Sequence, residues 1–151
     1  MIEWMILPLK RYAEFSGRSR RMEYWGFALL NILVVLIFLA LMLGIGAPLM
    51  TMEENPAAMA TLGGGFWIIF VLFGVYFLAV LVPSIAVTVR RLHDRNLSGW
   101  WYLGYFVASM IPLVNFVAGI ALLVVLVMPG TPGLNKYGPD PKDPGSADVF
   151  A

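Results

Sequence analysis

Residues 90–101 read RRLHDRNLSGWW and separate two long apolar runs. This short segment contains the only histidine of the chain, together with three arginines, one aspartate and a tryptophan pair. No Asp, Glu, Lys or Arg occurs within residues 24–52, 66–89 or 102–128, so every formal charge lies between or beyond these runs. Charge-free runs bounded by charged segments predict an all-α integral membrane protein.

Composition and run length support this class. Hydrophobic residues make up 60% of the chain and charged residues 13%, with a mean hydropathy of +0.83, whereas a soluble domain carries about 25% charge. About 20 apolar residues span a hydrocarbon core, and each run is that long. We therefore predict a single membrane domain over residues 1–151 with three transmembrane helices, at about 24–48, 66–89 and 100–128. An interfacial N-terminal segment (1–18), a loop (90–99) and a Pro/Gly-rich tail (129–151) complete the predicted organisation.

The distribution of basic residues predicts the orientation. Residues 1–23 contain five Lys and Arg, the connection between the first two runs contains none, and the loop 90–99 contains three. Basic residues favour the cytoplasmic side of a membrane. The N-terminus and the loop 90–99 are therefore predicted to be cytoplasmic, with Glu53 and Glu54 outside.

The third run allows two arrangements, because Pro112 and Gly119 interrupt it. Proline removes a backbone hydrogen bond that lipid cannot replace. A re-entrant hairpin turning at residues 112–115 would return the tail to the cytoplasm, whereas one helix interrupted at Pro112 would place it outside. We favour the single kinked span, since each arm of a hairpin is too short to cross alone.

His93 and Asp94 suggest acid/base chemistry or metal binding, because imidazole titrates near neutrality and a carboxylate can orient it. Adjacent helical residues, however, point about 100° apart. A metal site needs three or four ligands, and the chain has one histidine and no cysteine. We predict no catalytic residue, no metal and no cofactor.

The charged residues have a structural interpretation and a binding interpretation. The arginines of the loop can act as anchors that extend towards lipid phosphates, or they can form an anionic headgroup site. Charge placement makes Glu23 a partner for Arg90 or Arg91, and Asp94 a partner for Arg18 or Arg20. Interface anchors are predicted at Trp25, Trp100 and Trp101. For Asn31 and Asn115, within the apolar runs, we expect interhelical hydrogen bonds.

Three segments carry a family resemblance: FSGRSRRMEYW at 15–25, PSIAVTVRRLHDRNLSGWW at 83–101 and PGTPGLNKYGPDP at 129–141. In this order and spacing the chain closely resembles domain of unknown function 805, a family of small bacterial inner-membrane proteins of the YhaH type. The resemblance covers about residues 10–142 and departs from the family in a longer connection that includes TMEENPAAMATLGGG. It implies a multi-pass protein of the bacterial inner (plasma) membrane and supplies no catalytic residue. The hallmark residues that it implies are Gly17, Arg18, Arg20, Glu23, Tyr24, Trp25, Arg90, Arg91, His93, Asp94, Ser98, Gly99, Trp100, Asn135, Tyr137 and Gly138.

Three classes of function remain open. The favoured one is a non-enzymatic interaction, scaffold or anionic-lipid-engaging protein with a polar Arg/His/Asp cluster at the cytoplasmic face. The alternatives are a subunit of an oligomeric small transporter or channel, and a lipid-headgroup enzyme using His93 and Asp94. Expected partners are the lipid bilayer, anionic headgroups, further copies of the chain or other membrane proteins, and no nucleic acid. The candidate functional or headgroup-binding residues are Arg18, Arg20, Glu23, Arg90, Arg91, His93, Asp94, Asn135 and Tyr137.

Overall fold

The computed structural model describes residues 2–51 and 56–143, with side chains described for residues 2–45, 60 and 62–143. Glu53, Glu54 and the end of the predicted tail lie outside the described residues. Regular structure within the described ranges is helical, and one isolated β-bridge joins Asn135 to Gly138. The helices are α1 (Ile2–Lys10), α2 (Arg21–Thr51), α3 (Pro56–Asp94), α4 (Trp100–Ala108) and α5 (Val114–Val127).

Two helices are long and apolar enough to cross a membrane by length and composition, within the part of the chain that the structure describes. They correspond to Arg21–Ile45 of α2 and Leu62–Asp94 of α3. Almost no residue is buried in the most apolar stretch of each helix, whereas Phe27, Ala86, Val87 and Leu92 are buried elsewhere on the two helices. Because α3 continues through Asp94, five of the loop residues expected at 90–99 lie on its last turns instead.

The single kinked helix favoured over residues 100–128 is wrong. Helix α4 ends at Ala108, the chain turns over residues 109–113, and α5 packs back against α4. Pro112 has no N–H to continue the helix, and Leu113 has a φ of +69°, which a helix cannot contain. At 1.5 Å per residue, the 14 residues of α5 extend about 21 Å, less than a hydrocarbon core of about 30 Å. Three complete spans are therefore not confirmed.

The chain divides into two compact units. The terminal unit comprises residues 1–27 and 82–151, and the central unit comprises residues 28–81. In the central unit, Phe38 packs against Phe73 with ring centroids 5.3 Å apart. The hydroxyl of Tyr76 donates a 2.7 Å hydrogen bond to Asn31 Oδ1, which confirms the interhelical bond expected for Asn31.

Helix α1 and the α4–α5 hairpin belong to the terminal unit. At Gly26 on α2, an added Cβ would lie 3.5 Å from the backbone of Trp4 and Met5, so a small residue lets α1 pack closely. Between α4 and α5 lies an apolar crevice of about 500 Å³, lined partly by Gly104, Ala108 and Ala118. Small residues on both arms leave this space unfilled.

Candidate functional site

A buried ion pair joins the start of α2 to the end of α3. Arg90 Nη2 donates a 2.9 Å hydrogen bond to Glu23 Oε1, and these side chains are 0% and 3% exposed. The Ser19 hydroxyl donates to the other Glu23 oxygen at 2.8 Å. The Ser19 N–H donates to the Arg90 carbonyl at 3.1 Å, which ties both chain segments together. The pairing expected from charge placement is confirmed.

A second buried carboxylate, Asp94, receives two guanidinium groups. Arg18 Nε donates to Asp94 Oδ1 at 2.9 Å, and Arg91 Nη1 donates to Oδ2. All three side chains are at least 96% buried. The expected pairing of Asp94 with Arg18 is confirmed, whereas Arg20 donates to the Pro141 carbonyl and stacks over Trp4. We call Arg18, Glu23, Arg90, Arg91 and Asp94 the buried ion cluster.

Arginine donors of this cluster also bind the backbone that follows α5. Arg91 Nε donates to the Leu126 carbonyl at 3.0 Å, and Nη2 donates to the Met128 carbonyl. Arg18 donates to the Thr131 carbonyl at 2.5 Å and to the Gly133 carbonyl at 2.6 Å. The last carbonyls of a helix have no intrahelical partner and attract cations. The guanidinium groups therefore cap α5 and hold residues 128–143, which we call the C-terminal strap.

The strap is fixed at several further points on the end of α3. The Thr131 N–H donates to the Asp94 carbonyl at 2.8 Å, and Asn135 Nδ2 donates to the His93 carbonyl at 3.0 Å. At position 130 only glycine fits, because a Cβ would lie 2.0 Å from Asp94 Oδ2. These contacts place the strap beside the connection from α3 to α4. The strap therefore contacts the end of α3, whereas the single-span interpretation placed it at the far end of the third helix.

His93 and Asp94 do not form a catalytic pair. His93 Nδ1 lies 3.1 Å from the Gly17 carbonyl oxygen, which can only accept, so Nδ1 carries the proton of this bond. The His93 ring stacks on Tyr137 with centroids 3.8 Å apart and planes 5° apart. The Asp94 carboxylate is bound instead by Arg18 and Arg91. His93 and Asp94 are therefore held by different residues and do not contact each other as a catalytic pair would.

The site offers no cluster of metal ligands: within residues 2–51 and 56–143, no three His, Cys, Asp or Glu side chains come together. Arg90 and Arg91 are both 0% exposed, so they do not extend towards phosphates as anchors would. Nε and Nη1 of Arg90 are buried without a hydrogen-bond partner in the described structure. Glu14 Oε2 lies 3.9 Å from Nη1 and supplies a longer ion pair.

Other predicted residues lie around the cluster. Trp25, Trp100 and Trp101 are exposed, as interface anchors must be. Sequence reasoning missed Arg21 as a site residue and treated Arg95 only as a loop arginine, whereas both approach the end of α5: Arg21 Nη1 lies 3.4 Å from the Val127 carbonyl, and Arg95 Nη1 lies 2.5 Å from the Pro129 carbonyl.

The geometry falls within a region that matches a known family. The family described as "Protein of unknown function (DUF805)" matches residues 12–139, which include the whole buried ion cluster and most of the strap. The chain belongs to the DUF805 family. The resemblance inferred from the three sequence segments is thereby confirmed.

Two relatives of the chain come from Escherichia coli (strain K12). Inner membrane protein YhaI is 36% identical over 143 residues, covering 93% of this chain and 97% of YhaI. Inner membrane protein YhaH is 34% identical over 141 residues, covering 93% of this chain and 98% of YhaH. A shorter match, 38% identical over 82 residues, is to the uncharacterized protein YiiR of the same strain, covering 42% of this chain and 56% of YiiR. No solved structure matches the chain significantly.

Proposed function

We propose that this chain is a non-enzymatic, integral inner-membrane protein that presents a rigid polar platform to another membrane component. The DUF805 relatives YhaI and YhaH are named inner membrane proteins. The exposed apolar surfaces of the two long helices suit lipid, because water does not favour exposed apolar surface of this extent. The platform is the C-terminal strap together with the end of α3.

The proposed orientation places this platform in the cytoplasm. Residues 1–27 and 82–151 contain all ten basic residues and seven of the nine acidic ones, whereas residues 28–81 contain only Glu53 and Glu54 as charges. The positive-inside rule favours the cytoplasmic side for the first set. The α4–α5 hairpin keeps the strap on the same side as the connection between α3 and α4.

The observation that carries the proposal is that the side-chain donors of Arg18, Arg91 and His93 bind acceptors within the protein. Arg18 and Arg91 are occupied by Asp94 and by strap carbonyls. His93 is occupied by Gly17 and Tyr137. An active site keeps reactive groups accessible to a substrate, whereas these groups serve internal partners. Their role in this proposal is to hold the strap in one conformation.

The strap also presents side chains outward. Leu134 is 67% exposed although it is apolar, and the neighbouring Lys136 is exposed as well. An exposed apolar side chain on a rigid backbone suits an interaction surface. Because the backbone is already ordered, binding costs less conformational entropy. The proposed partner is another membrane protein that contacts this surface.

Photocrosslinking in intact cells tests this proposal. A benzoylphenylalanine introduced at Leu134 should give a discrete protein adduct, while the same probe at the exposed Leu113 in the hairpin turn should not. His93→Phe retains the aromatic stack on the strap residue Tyr137 and removes only the bond to Gly17, which lies outside the strap, so it should leave the adduct unchanged. Loss of the adduct in His93→Phe at normal protein level, or absence of a protein adduct at Leu134, would contradict the proposal.

A further inference from the structure

Two arginines at the end of α5 carry positive charge without an acidic partner. Arg21 and Arg95 both lie close enough to Arg91 to repel its guanidinium electrostatically. Arg91 is paired with Asp94, but Arg18 shares that carboxylate. Among the described residues, no ion pair joins Arg21 or Arg95 to a carboxylate. The region therefore has an excess of positive charge.

These two arginines keep donors that the protein does not use fully. Arg21 is exposed, and its hydrogen bond to the Val127 carbonyl is long at 3.4 Å. Arg95 binds the Pro129 carbonyl through Nη1 and the Met128 sulfur through Nη2, which leaves the second N–H of each nitrogen without a partner among the described residues. By contrast, Arg90 and Arg91 are fully buried. Arg21 is exposed and Arg95 is half-buried, so an external anion can approach them, whereas Arg90 and Arg91 are closed to it.

Arg21 also borders an open groove with an apolar floor. The groove has a volume of about 410 Å³ and is lined by Arg21, Met22, Trp25 and Val127. Trp25 is exposed, and tryptophan favours the level of lipid headgroups. Positive charge above an apolar surface complements a molecule with a phosphate above a hydrocarbon chain.

We propose that Arg21 and Arg95 bind the phosphodiester of an anionic phospholipid, whose upper acyl chain lies against Met22, Trp25 and Val127. A zwitterionic lipid fits less well, because its own cation meets two arginines that have no acidic partner. The apolar floor argues for a lipid over a free phosphate ester, which has nothing to place in the groove. This inference rests on the membrane location in the proposed function, but not on the protein partner of the strap.

Native mass spectrometry of the purified full-length chain in a neutral detergent tests the site. The protein is mixed with equal concentrations of phosphatidylglycerol and phosphatidylcholine. The intensities of the protein ions that carry one molecule of each lipid are then compared. One basic residue contributes about fivefold to the binding of anionic lipid, so the pair should give a preference of about 25-fold for phosphatidylglycerol. Arg21→Gln/Arg95→Gln should remove most of that preference, while Arg21→Lys/Arg95→Lys should retain it in part.

The matched control is Lys10→Gln/Lys142→Gln, which removes two exposed charges outside the groove and should retain the preference within about twofold. Thermal unfolding of each variant verifies folding. An unchanged preference in Arg21→Gln/Arg95→Gln, or an equal loss in the lysine control, would overturn the site. Displacement of phosphatidylglycerol by an equal concentration of glycerol phosphate would overturn the lipid as ligand. Failure of the crosslink at Leu134 would leave these results unaffected, so the two proposals are separable.

Discussion

Asp94 is the residue on which the buried ion cluster depends most. Its carboxylate accepts from Arg18 and Arg91, while its backbone carbonyl accepts from the Thr131 N–H. Removal of one member of a buried ion pair leaves the other charge without compensation, which costs about 3–5 kcal/mol. Here a single neutralisation leaves two buried guanidinium groups facing each other.

We expect Asp94→Asn to lower the free energy of unfolding by about 3–5 kcal/mol, measured by thermal or denaturant unfolding in detergent. Asp140→Asn is the matched control, because its carboxylate is 16% exposed and lies 4.0 Å from Arg18. The control should lose less than about 1 kcal/mol, as peripheral ion pairs do. Equal destabilisation by the two substitutions would argue against Asp94 as the centre of the cluster.

Glu14 provides a pH-dependent contact at the edge of the cluster. The hydrogen bonds from Arg11 lower the pKa of this carboxyl below its ordinary value. The folded state then binds the proton less tightly than the unfolded state. The contribution to stability is therefore present above the unfolded pKa and is lost as pH falls through the folded pKa. Titration of Glu14 by NMR should show this lowered value, and Arg11→Gln should raise it; no change on that substitution would rule out Arg11 as the cause.

At the scale of elements, the strap depends on close backbone contact. Gly130→Ala would place a Cβ 2.0 Å from Asp94 Oδ2 and 2.5 Å from Cγ, so either the strap moves away from α3 or the Asp94 carboxylate leaves its arginines. We expect faster proteolysis and faster amide exchange within residues 128–143. Gly119→Ala in α5 is the control, since a Cβ there meets nothing within 4 Å. Equal protection of the strap in both variants would show that it does not need this contact.

The elements also show what the sequence can and cannot predict. The Glu23–Arg90 and Arg18–Asp94 pairs followed from charge placement, because so few acids lie beside so many arginines. The hairpin could not be predicted from the length of the third apolar run, because one kinked span and a hairpin of two short helices both need a run of that length. The full burial of Arg91 was also missed, because hydropathy does not register that the distant residues Leu126 and Met128 supply carbonyl acceptors.

In the whole molecule, the charge distribution and the path of the chain agree. The DUF805 match covers the cluster and most of the strap, so both belong to the part shared with the family. The α4–α5 hairpin returns the chain to the end of α3, where the arginines meet the strap. A tail on the opposite side of the membrane would leave those arginines buried without their carbonyl acceptors.

The most direct test of this account is the sidedness of three single cysteines, which is simple because the chain has no cysteine of its own. A membrane-impermeant maleimide is added to spheroplasts, before and after permeabilisation, that carry one of three substitutions: Asn96→Cys, Lys142→Cys or Glu54→Cys. The account predicts that Asn96→Cys and Lys142→Cys react only after permeabilisation, whereas Glu54→Cys reacts in intact spheroplasts. Reaction of Lys142→Cys in intact spheroplasts while Asn96→Cys stays protected would contradict it.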